Sequence, residues 1–192
     1  MGLFDIFSKK NDNLPNKTDD PYGQYVNAAC AYFQQDDYSE AAAFFDAAIA
    51  INSNDPNIWW LRGISLVKME EYEEALTSYN KSLNLNPNYQ RAWRARGEVL
   101  DDLCRCSEAV ASYDKAIAID PNDAEAWSNR GVSFRNLGMF NEAVASYDRA
   151  IAIDPSLAAT WDNRGYALRQ LGRNEDADAS YETAISLHKK QI

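Results

Sequence analysis

The sequence is poor in the side chains that most catalytic and metal sites require. Its 192 residues include one histidine and three cysteines. It has no G-x-x-x-x-G-K-[ST] phosphate loop, no H-E-x-x-H zinc motif and no G-x-S-x-G nucleophile turn. His188 stands beside two lysines, where it suits a helix terminus better than acid–base chemistry. The sequence therefore predicts that the protein is not an enzyme and uses no catalytic residues, metal or cofactor.

Basic residues are also few. The 19 lysines and arginines face 29 acidic residues, which gives a formal net charge of −10. Proteins that bind nucleic acids or anionic membranes usually carry a basic surface, so neither class of partner is expected. A uniformly acidic surface is more typical of a solubility device than of a binding function.

The three cysteines are Cys30, Cys104 and Cys106. Their odd number, their spacing and the lack of a secretory signal predict reduced thiols and a cytoplasmic location. Cys104 and Cys106 form a C-x-C pair without a nearby histidine, whereas zinc requires four ligands. We therefore interpret both as ordinary turn and packing residues.

An aromatic residue returns every 34 residues, at Tyr25, Trp59, Trp93, Trp127 and Trp161. Positions in each copy are counted from this aromatic. Position 4 holds Ala29, Gly63, Gly97, Gly131 and Gly165; position 16 holds Ala41, Ala75, Ala109, Ala143 and Ala177; position 20 holds Phe45, Tyr79, Tyr113, Tyr147 and Tyr181. Position 28 holds Ser53, Pro87, Pro121, Pro155 and Lys189. Such a period indicates stacked repeats, which build a continuous binding surface and rarely a catalytic pocket.

Each copy predicts two helices joined by a tight turn. Trp127, Gly131 and Phe134 are spaced by four and three residues, so they share one helical face. A second such face comprises Ala143, Tyr147, Ala150 and Ile151. Gly138 lies between the two faces and can adopt the left-handed conformation that ends a helix. We expect the small Gly131 to allow close helix contact opposite Ala143.

This arrangement of aromatic, glycine, alanine, aromatic and proline resembles the tetratricopeptide repeat, and the fourth copy, WSNRGVSFRNLGMFNEAVASYDRAIAIDP, fits it almost throughout. The resemblance implies an all-α fold, a right-handed superhelical solenoid of five helix-turn-helix hairpins. The repeats are 22–55, 56–89, 90–123, 124–157 and 158–191, in one domain over 22–191. The first copy is degenerate at Tyr25, Ala29 and Ser53. The amino-acid sequences of the repeats are similar to those in bacterial members of this family.

Residues 1–21 precede the repeats. Residues 11–21 are polar and predict a flexible linker. Residues 2–10 include Leu3, Phe4, Ile6 and Phe7, which can share one side of a short amphipathic helix. This segment is too short to cross a bilayer. A cap over the first repeat or a free tail is the preferred interpretation, and a weak membrane anchor is the alternative.

Positions 1, 5 and 8 form a second stripe on each first helix. The resemblance implies that this stripe faces the concave side and binds partners. Its apolar members in the first two copies include Phe33, Trp60 and Ile64, whereas later copies supply Arg94, Arg135, Tyr166 and Arg169. Trp60 has two interpretations of equal weight, because it either anchors a partner or is buried against the first repeat.

Two further positions carry polar rows. Position 2 holds Asn129 and Asn163, and some family members bind a peptide backbone with a ladder of such asparagines. Position 3 holds Arg62, Arg96, Arg130 and Arg164, for which we favour a structural role in pairs with helix carboxylates over an anion-binding row. No three successive repeats supply the set of lysine, asparagine and arginine residues that the family's clamp for chaperone tails needs, so that partner is not implied.

The sequence thus predicts a non-catalytic scaffold or adaptor that binds a protein or peptide in its concave groove. The expected groove residues are Phe33, Trp60, Ile64, Arg94, Asn129, Arg135, Asn163, Tyr166 and Arg169. The expected partner segment has an apolar anchor and an acidic stretch. One alternative is a self-assembly unit that associates weakly through its last repeat. Another is an assembly factor tethered to a membrane by residues 2–10.

Overall fold

The computed structural model describes residues 20–190. Ten α-helices occupy this range: α1 Pro21–Gln34, α2 Tyr38–Ile51, α3 Pro56–Lys68, α4 Tyr72–Leu85, α5 Gln90–Asp102, α6 Cys106–Ile119, α7 Ala124–Asn136, α8 Phe140–Ile153, α9 Ala158–Gln170 and α10 Asn174–Lys190. The described residues contain no strand. The all-α prediction is confirmed, with two helices in each copy of the repeat.

The turn inside each hairpin uses the same position of the repeat. Backbone φ is positive at Asp36, Glu70, Cys104, Gly138 and Gly172, with values from 58° to 75°. At Gly138 the amide donates to Arg135 O at 3.0 Å, and the next amide, of Met139, donates to Phe134 O at 2.9 Å. This pair of bonds is the Schellman arrangement that ends a helix with a left-handed residue. The predicted role of Gly138 is confirmed, and Cys104 is the equivalent turn residue.

Close packing within each hairpin depends on the glycine at position 4. A Cβ placed on Gly131 would lie 2.5 Å from Cε1 of Tyr147, whose side chain is fully buried. Gly63, Gly97 and Gly165 meet the aromatic residue at position 20 of their own copies in the same way. The expected close approach of the two helices at Gly131 is confirmed by the contact with Tyr147, and the position opposite Ala143 stays a prediction.

The aromatic residue at position 0 joins successive hairpins. The indole N–H of Trp127 donates to Pro121 O at 3.0 Å, and Trp161 donates to Pro155 O at 3.0 Å. Trp59 makes the same bond to Ser53 O at 2.8 Å. Trp127 is half-buried, with the Arg130 guanidinium 5.4 Å from its ring centroid. The ring of Trp127 is therefore only partly in the core, with an arginine over it.

The arginine row at position 3 is structural. Arg62 pairs with Asp46 of the preceding hairpin at 2.6 Å and donates to Ser78 of its own second helix at 2.7 Å. The equivalent bonds are Arg130 to Asp114 at 2.7 Å and to Ser146 at 3.1 Å, and Arg164 to Asp148 at 2.6 Å and to Ser180 at 2.7 Å. Each of these arginines therefore connects three helices, which confirms the structural interpretation.

The chain forms two compact units, Met1–Pro87 and Asn88–Ile192. In the described range the first contains α1–α4 and the second contains α5–α10. Each is a run of hairpins in contact with the next, as α2 is with α3 and α8 with α9. Between residues 20 and 190 no helix is both long and apolar enough to cross a bilayer. The single domain over 22–191 stays a prediction, and the amphipathic segment 2–10 lies outside the described residues.

Candidate functional site

The predicted binding stripe of the first unit is apolar and mostly covered. Trp60 is only 7% exposed, so its ring offers little surface to a partner. This burial fits the alternative in which Trp60 is a packing residue. Ile64 and Phe33 are half-buried, and Phe33 packs edge-on against Tyr38 with centroids 5.1 Å apart. Both residues leave some apolar surface on this stripe.

The cysteines show the features of structural residues. Cys106 is buried at 9% exposure, and burial raises the pKa of its thiol. Burial also raises the pKa of Cys30. Cys104 is exposed at the hairpin turn. The described residues contain no group of three or more side chains placed to hold a metal ion.

Two of the three predicted groove arginines are already paired with acids. Arg94 forms an ion pair with Glu125 and lies 3.7 Å from Asp123 and 3.9 Å from Glu98. Arg169 pairs with Asp178 at 2.5 Å. Glu98 stands on the same stripe as Arg94, whereas Asp123, Glu125 and Asp178 lie outside it, so the sequence of the stripe alone did not show these three acids.

Arg135 differs from both. Its Nη1 donates to Oδ1 of Asn163 at 2.5 Å, and its Nη2 donates to Oδ1 of Asn136 at 3.2 Å. Its guanidinium lies 5.8 Å from the ring centroid of Tyr166. Among residues 20–190 no carboxylate pairs with Arg135. A guanidinium has five N–H donors, so it keeps donors for an acidic group.

Apolar surface adjoins Arg135. Tyr166 is 47% exposed and lies edge-on to Phe140, with centroids 6.4 Å apart. Val132 is half-buried and packs against the same buried cluster as Phe140. We call Asn129, Val132, Arg135, Asn163 and Tyr166 the α7–α9 surface. Phe140 was missed from the sequence because it begins a second helix, outside the stripe.

In the second unit, helix α5 carries the carboxylates of Glu98 and Asp101. Glu98 accepts from Nδ2 of Asn129 at 3.3 Å. Asp101 accepts from Ser133 at 2.8 Å and from the hydroxyl of Tyr113 at 3.1 Å. Desolvation raises the pKa of Asp101 despite these bonds. Ser133 and Tyr113 were not predicted as partners, although serine and tyrosine recur at positions 6 and 20.

Comparison with known proteins matches the chain to tetratricopeptide repeats. Profiles described as "TPR repeat" match residues 30–70, 63–102 and 105–138, and profiles described as "Tetratricopeptide repeat" match 124–157 and 158–191. Together they cover residues 30–191 apart from 103 and 104, which leaves out the first residues of copy one and two residues of copy three. A comparison with curated proteins gave no match.

Solved structures share the fold. The structure titled "MamA 41-end from Desulfovibrio magneticus RS-1" has a TM-score of 0.85 and 22% identity, over 90% of this chain and 97% of that chain. A MamA RS-1 double mutant gives a TM-score of 0.86, also at 22% identity, over 90% of this chain and 97% of that one. A structure titled "YrrB: a TPR protein with an unusual peptide-binding site" gives 0.76 at 24% identity, over 100% of this chain and 99% of that chain.

Proposed function

The chain belongs to the tetratricopeptide repeat family, and we propose that it is a non-catalytic scaffold that binds an acidic, partly apolar segment of a partner protein on the α7–α9 surface. Proteins of this family commonly serve as interaction scaffolds. The peptide-binding site named for YrrB belongs to that protein, and it supports the same class of function here.

The observation that carries the proposal is the set of partners that Arg135 has in the structure. Its two short-range contacts are neutral amides, and no acid within residues 20–190 pairs with it. The amides and the Tyr166 ring hold the guanidinium in place. A partner carboxylate would therefore meet a positioned cation, and charge-assisted bonds of this kind are about twice as strong as neutral ones. Arg94 and Arg169 contribute less because each must first release its own acid.

The exposed ring of Tyr166 supplies the apolar part of the surface. Aromatic side chains with a polar tip often dominate binding energy at interfaces. Phe33 and Ile64 are proposed as an apolar contact area of the first unit, where Trp60 supports the packing. The apolar anchor of the partner is thus expected at Tyr166 rather than at Trp60, for which the sequence allowed binding and packing equally.

The test uses the full chain and random peptides displayed on phage. Peptides that bind are synthesised, and affinity is measured by calorimetry for the wild type, Arg135→Ala and Tyr166→Ala. We expect enrichment of acidic peptides with an apolar residue, and each variant should weaken binding by about 2 kcal/mol, roughly 30-fold. Raising the salt concentration should weaken binding to the wild type more than to Arg135→Ala.

The matched control is Arg173→Ala, which removes an exposed arginine that pairs with Asp176 in the last hairpin turn. It should leave peptide affinity unchanged. If Arg135→Ala binds the selected peptides as tightly as the wild type does, the partner does not use the α7–α9 surface and the proposal fails.

Self-assembly through the last repeat is a second candidate function. Ile185 on α10 is 53% exposed, whereas Ala177 and Ala184 of the same helix are fully buried. An exposed aliphatic side chain of this size favours contact with another apolar surface. The membrane-tethered alternative depends on residues 2–10, outside the described range, and a cytoplasmic location stays a prediction.

A further inference from the structure

The first copy of the repeat carries aromatic side chains on the side where every later copy meets the hairpin before it. We propose that residues 2–10 of the same chain bind to this aromatic face, which comprises Tyr25 and Tyr32 on α1 and Phe44 on α2. The face lies in the first unit, so this inference does not depend on the function proposed for the α7–α9 surface.

Positions 0 and 3 of a first helix face the preceding hairpin. In the second copy, Arg62 at position 3 forms its ion pair with an aspartate of α2 at 2.6 Å. In the fourth copy, Trp127 at position 0 donates to Pro121 O of the preceding loop at 3.0 Å. The first copy holds Tyr25 and Ala28 at these two positions. Among residues 20–190 no helix precedes α1, so this side of the first hairpin meets no such neighbour.

The first copy also differs from the others at position 19. Each later copy has a buried serine there, and this serine accepts a hydrogen bond from the arginine at position 3 of its own copy. The first copy has Phe44 in place of the serine and Ala28 in place of the arginine. The ring of Phe44 stacks on Tyr32, with centroids 5.2 Å apart and 13° between the planes, and lies 6.1 Å from the ring of Tyr25. Three aromatic rings in contact thus replace a polar pair.

The three rings leave apolar surface open within the described range. Tyr25 is 37% exposed, and Tyr32 and Phe44 are half-buried. Tyr32 stands at position 7, which is buried in every later copy, at Leu66, Leu100, Phe134 and Leu168. Contiguous apolar surface of this kind favours contact with another apolar group. The aromatic face therefore suits a segment with large apolar side chains.

Residues 2–10 have the composition that this face requires. Their four large apolar side chains and two basic ones are Leu3, Phe4, Ile6, Phe7, Lys9 and Lys10. The first copy, residues 22–55, has five acidic residues and no basic one. One of these acids, Glu40, lies one helical turn before Phe44 and hence on the same side of α2. The segment can therefore place its apolar residues on the rings and its lysines near acids.

The chain between the segment and the face is long enough. Residues 11–19 lead from the segment to Asp20, which caps α1, and nine extended residues span up to roughly 30 Å. Tyr32 lies twelve residues beyond Asp20, which is roughly 18 Å along a helix. A segment tethered in this way has an effective concentration on the order of millimolar at its site. This tether favours residues 2–10 over a second copy of the chain.

The test places a photoreactive side chain in the segment of the full chain. Phe4 is replaced by p-benzoylphenylalanine, and cross-linked peptides are identified by mass spectrometry. Half of the protein carries heavy nitrogen, which distinguishes links within one chain from links between chains. Ala28→Arg/Phe44→Ser gives the first copy the arginine and serine of the later copies. The matched control, Leu85→Ser, removes an exposed apolar side chain of α4 in the same unit. Circular dichroism first shows that each variant is folded.

We expect position 4 to form links to peptides of α1 or α2 of the same chain. These links should be lost in Ala28→Arg/Phe44→Ser and should persist in Leu85→Ser. Links between heavy and light chains would show that a second copy covers the face, and they would overturn the inference. Links to other helices only, or an unchanged yield in Ala28→Arg/Phe44→Ser, would overturn it as well.

A second measurement changes the segment alone and alters no residue of the repeats. Phe4→Ser/Phe7→Ser removes two rings that should cover the aromatic face, and amide hydrogen exchange is followed by mass spectrometry. We expect the amides of α1 to exchange about tenfold faster in this variant, because burial of the rings stabilises the end of the stack. The amides of α8, in the second unit, are the internal control and should not change. Equal exchange of α1 in both proteins would contradict the inference.

Vesicles made of equal parts of phosphatidylglycerol and phosphatidylcholine test a membrane as the alternative site for residues 2–10. We expect the wild type to remain unbound in a flotation experiment, because its apolar residues are engaged by the aromatic face. If the wild type floats with the vesicles, Phe4→Ser/Phe7→Ser does not, and the exchange of α1 is equal in both, the segment binds membranes and the inference is wrong.

Discussion

Replacement of Gly131 by alanine should reverse the usual effect of that substitution in a helix. Within a helix, alanine is normally more stable than glycine by about 1 kcal/mol. Here the new Cβ would lie 2.5, 2.7 and 2.9 Å from three carbons of the Tyr147 ring. These distances are shorter than van der Waals contact, and the ring is fully buried, so it has no solvent side into which it can move.

The expected magnitude follows from two opposing effects. An extra methyl group in a well-packed core costs about 1–3 kcal/mol, and contact with three ring atoms places this site near the upper value. The gain of about 1 kcal/mol in helix propensity offsets part of that cost. Gly131→Ala should therefore destabilise the protein by about 1–2 kcal/mol. With Tyr147→Leu already present the clash is gone, and the same substitution should stabilise.

The assay is urea unfolding followed by circular dichroism, for both Gly131→Ala and Gly138→Ala in the wild-type and Tyr147→Leu backgrounds. Gly138 has φ 75° and no atom within 4 Å of an added Cβ. Its substitution therefore costs about 1 kcal/mol through backbone strain, equally in both backgrounds. If Gly131→Ala stabilises the wild type, or has the same sign in both backgrounds, the packing explanation is refuted.

Four further measurements test other parts of the structure. Trp127→Ala removes a half-buried ring and its bond to the preceding loop, so urea unfolding should show a loss of about 2–3 kcal/mol, below the range for a fully buried ring. The buried hydroxyl of Tyr147 has no hydrogen-bond partner in the described chain, whereas that of Tyr113 bonds to Asp101. Tyr147→Phe should therefore stabilise the protein by about 1 kcal/mol, and Tyr113→Phe should destabilise it. Burial raises the pKa of Asp101 in the folded state, so protonation of this carboxyl stabilises the fold, and the stabilisation is lost as pH rises from about 4 through the raised pKa. Asp101→Asn should therefore flatten the melting temperature as a function of pH over this range. An unchanged pH profile in Asp101→Asn would contradict the assignment. Ile185→Asp should abolish any concentration-dependent increase in mass seen by light scattering, and a wild type that stays monomeric at high concentration would rule out self-assembly through this residue.

The fold could be predicted because the sequence features of one repeat recur at the equivalent positions of the other repeats. Gly138 predicted a turn, and the turn appears at the equivalent Asp36, Glu70 and Cys104, which are not glycines. Their placement is fixed by the hairpin and not by their own preference, since non-glycine residues rarely adopt positive φ. The repeat period thus located turns that single-residue reasoning would have missed.

The candidate site was less predictable because the partners of its arginines mostly come from other helices and loops. The stripe shows Arg135 and Arg169 at the same repeat position, and sequence alone treats them alike. Asp178, on α10, pairs with Arg169, whereas Arg135 meets two amides. The sequence allows both binding and packing for Trp60, and its 7% exposure reflects packing in three dimensions that spacing along one helix does not describe.

The bond from each junction tryptophan to the preceding loop gives the protein built-in optical reporters. Indole emission shifts when its N–H changes from a protein carbonyl to water, and Trp59, Trp127 and Trp161 each bond to a different loop. Variants that keep one of these tryptophans and carry phenylalanine at the other tryptophan positions would emit from a single junction. Comparing their fluorescence during unfolding would show in which order the hairpins separate, without any attached dye.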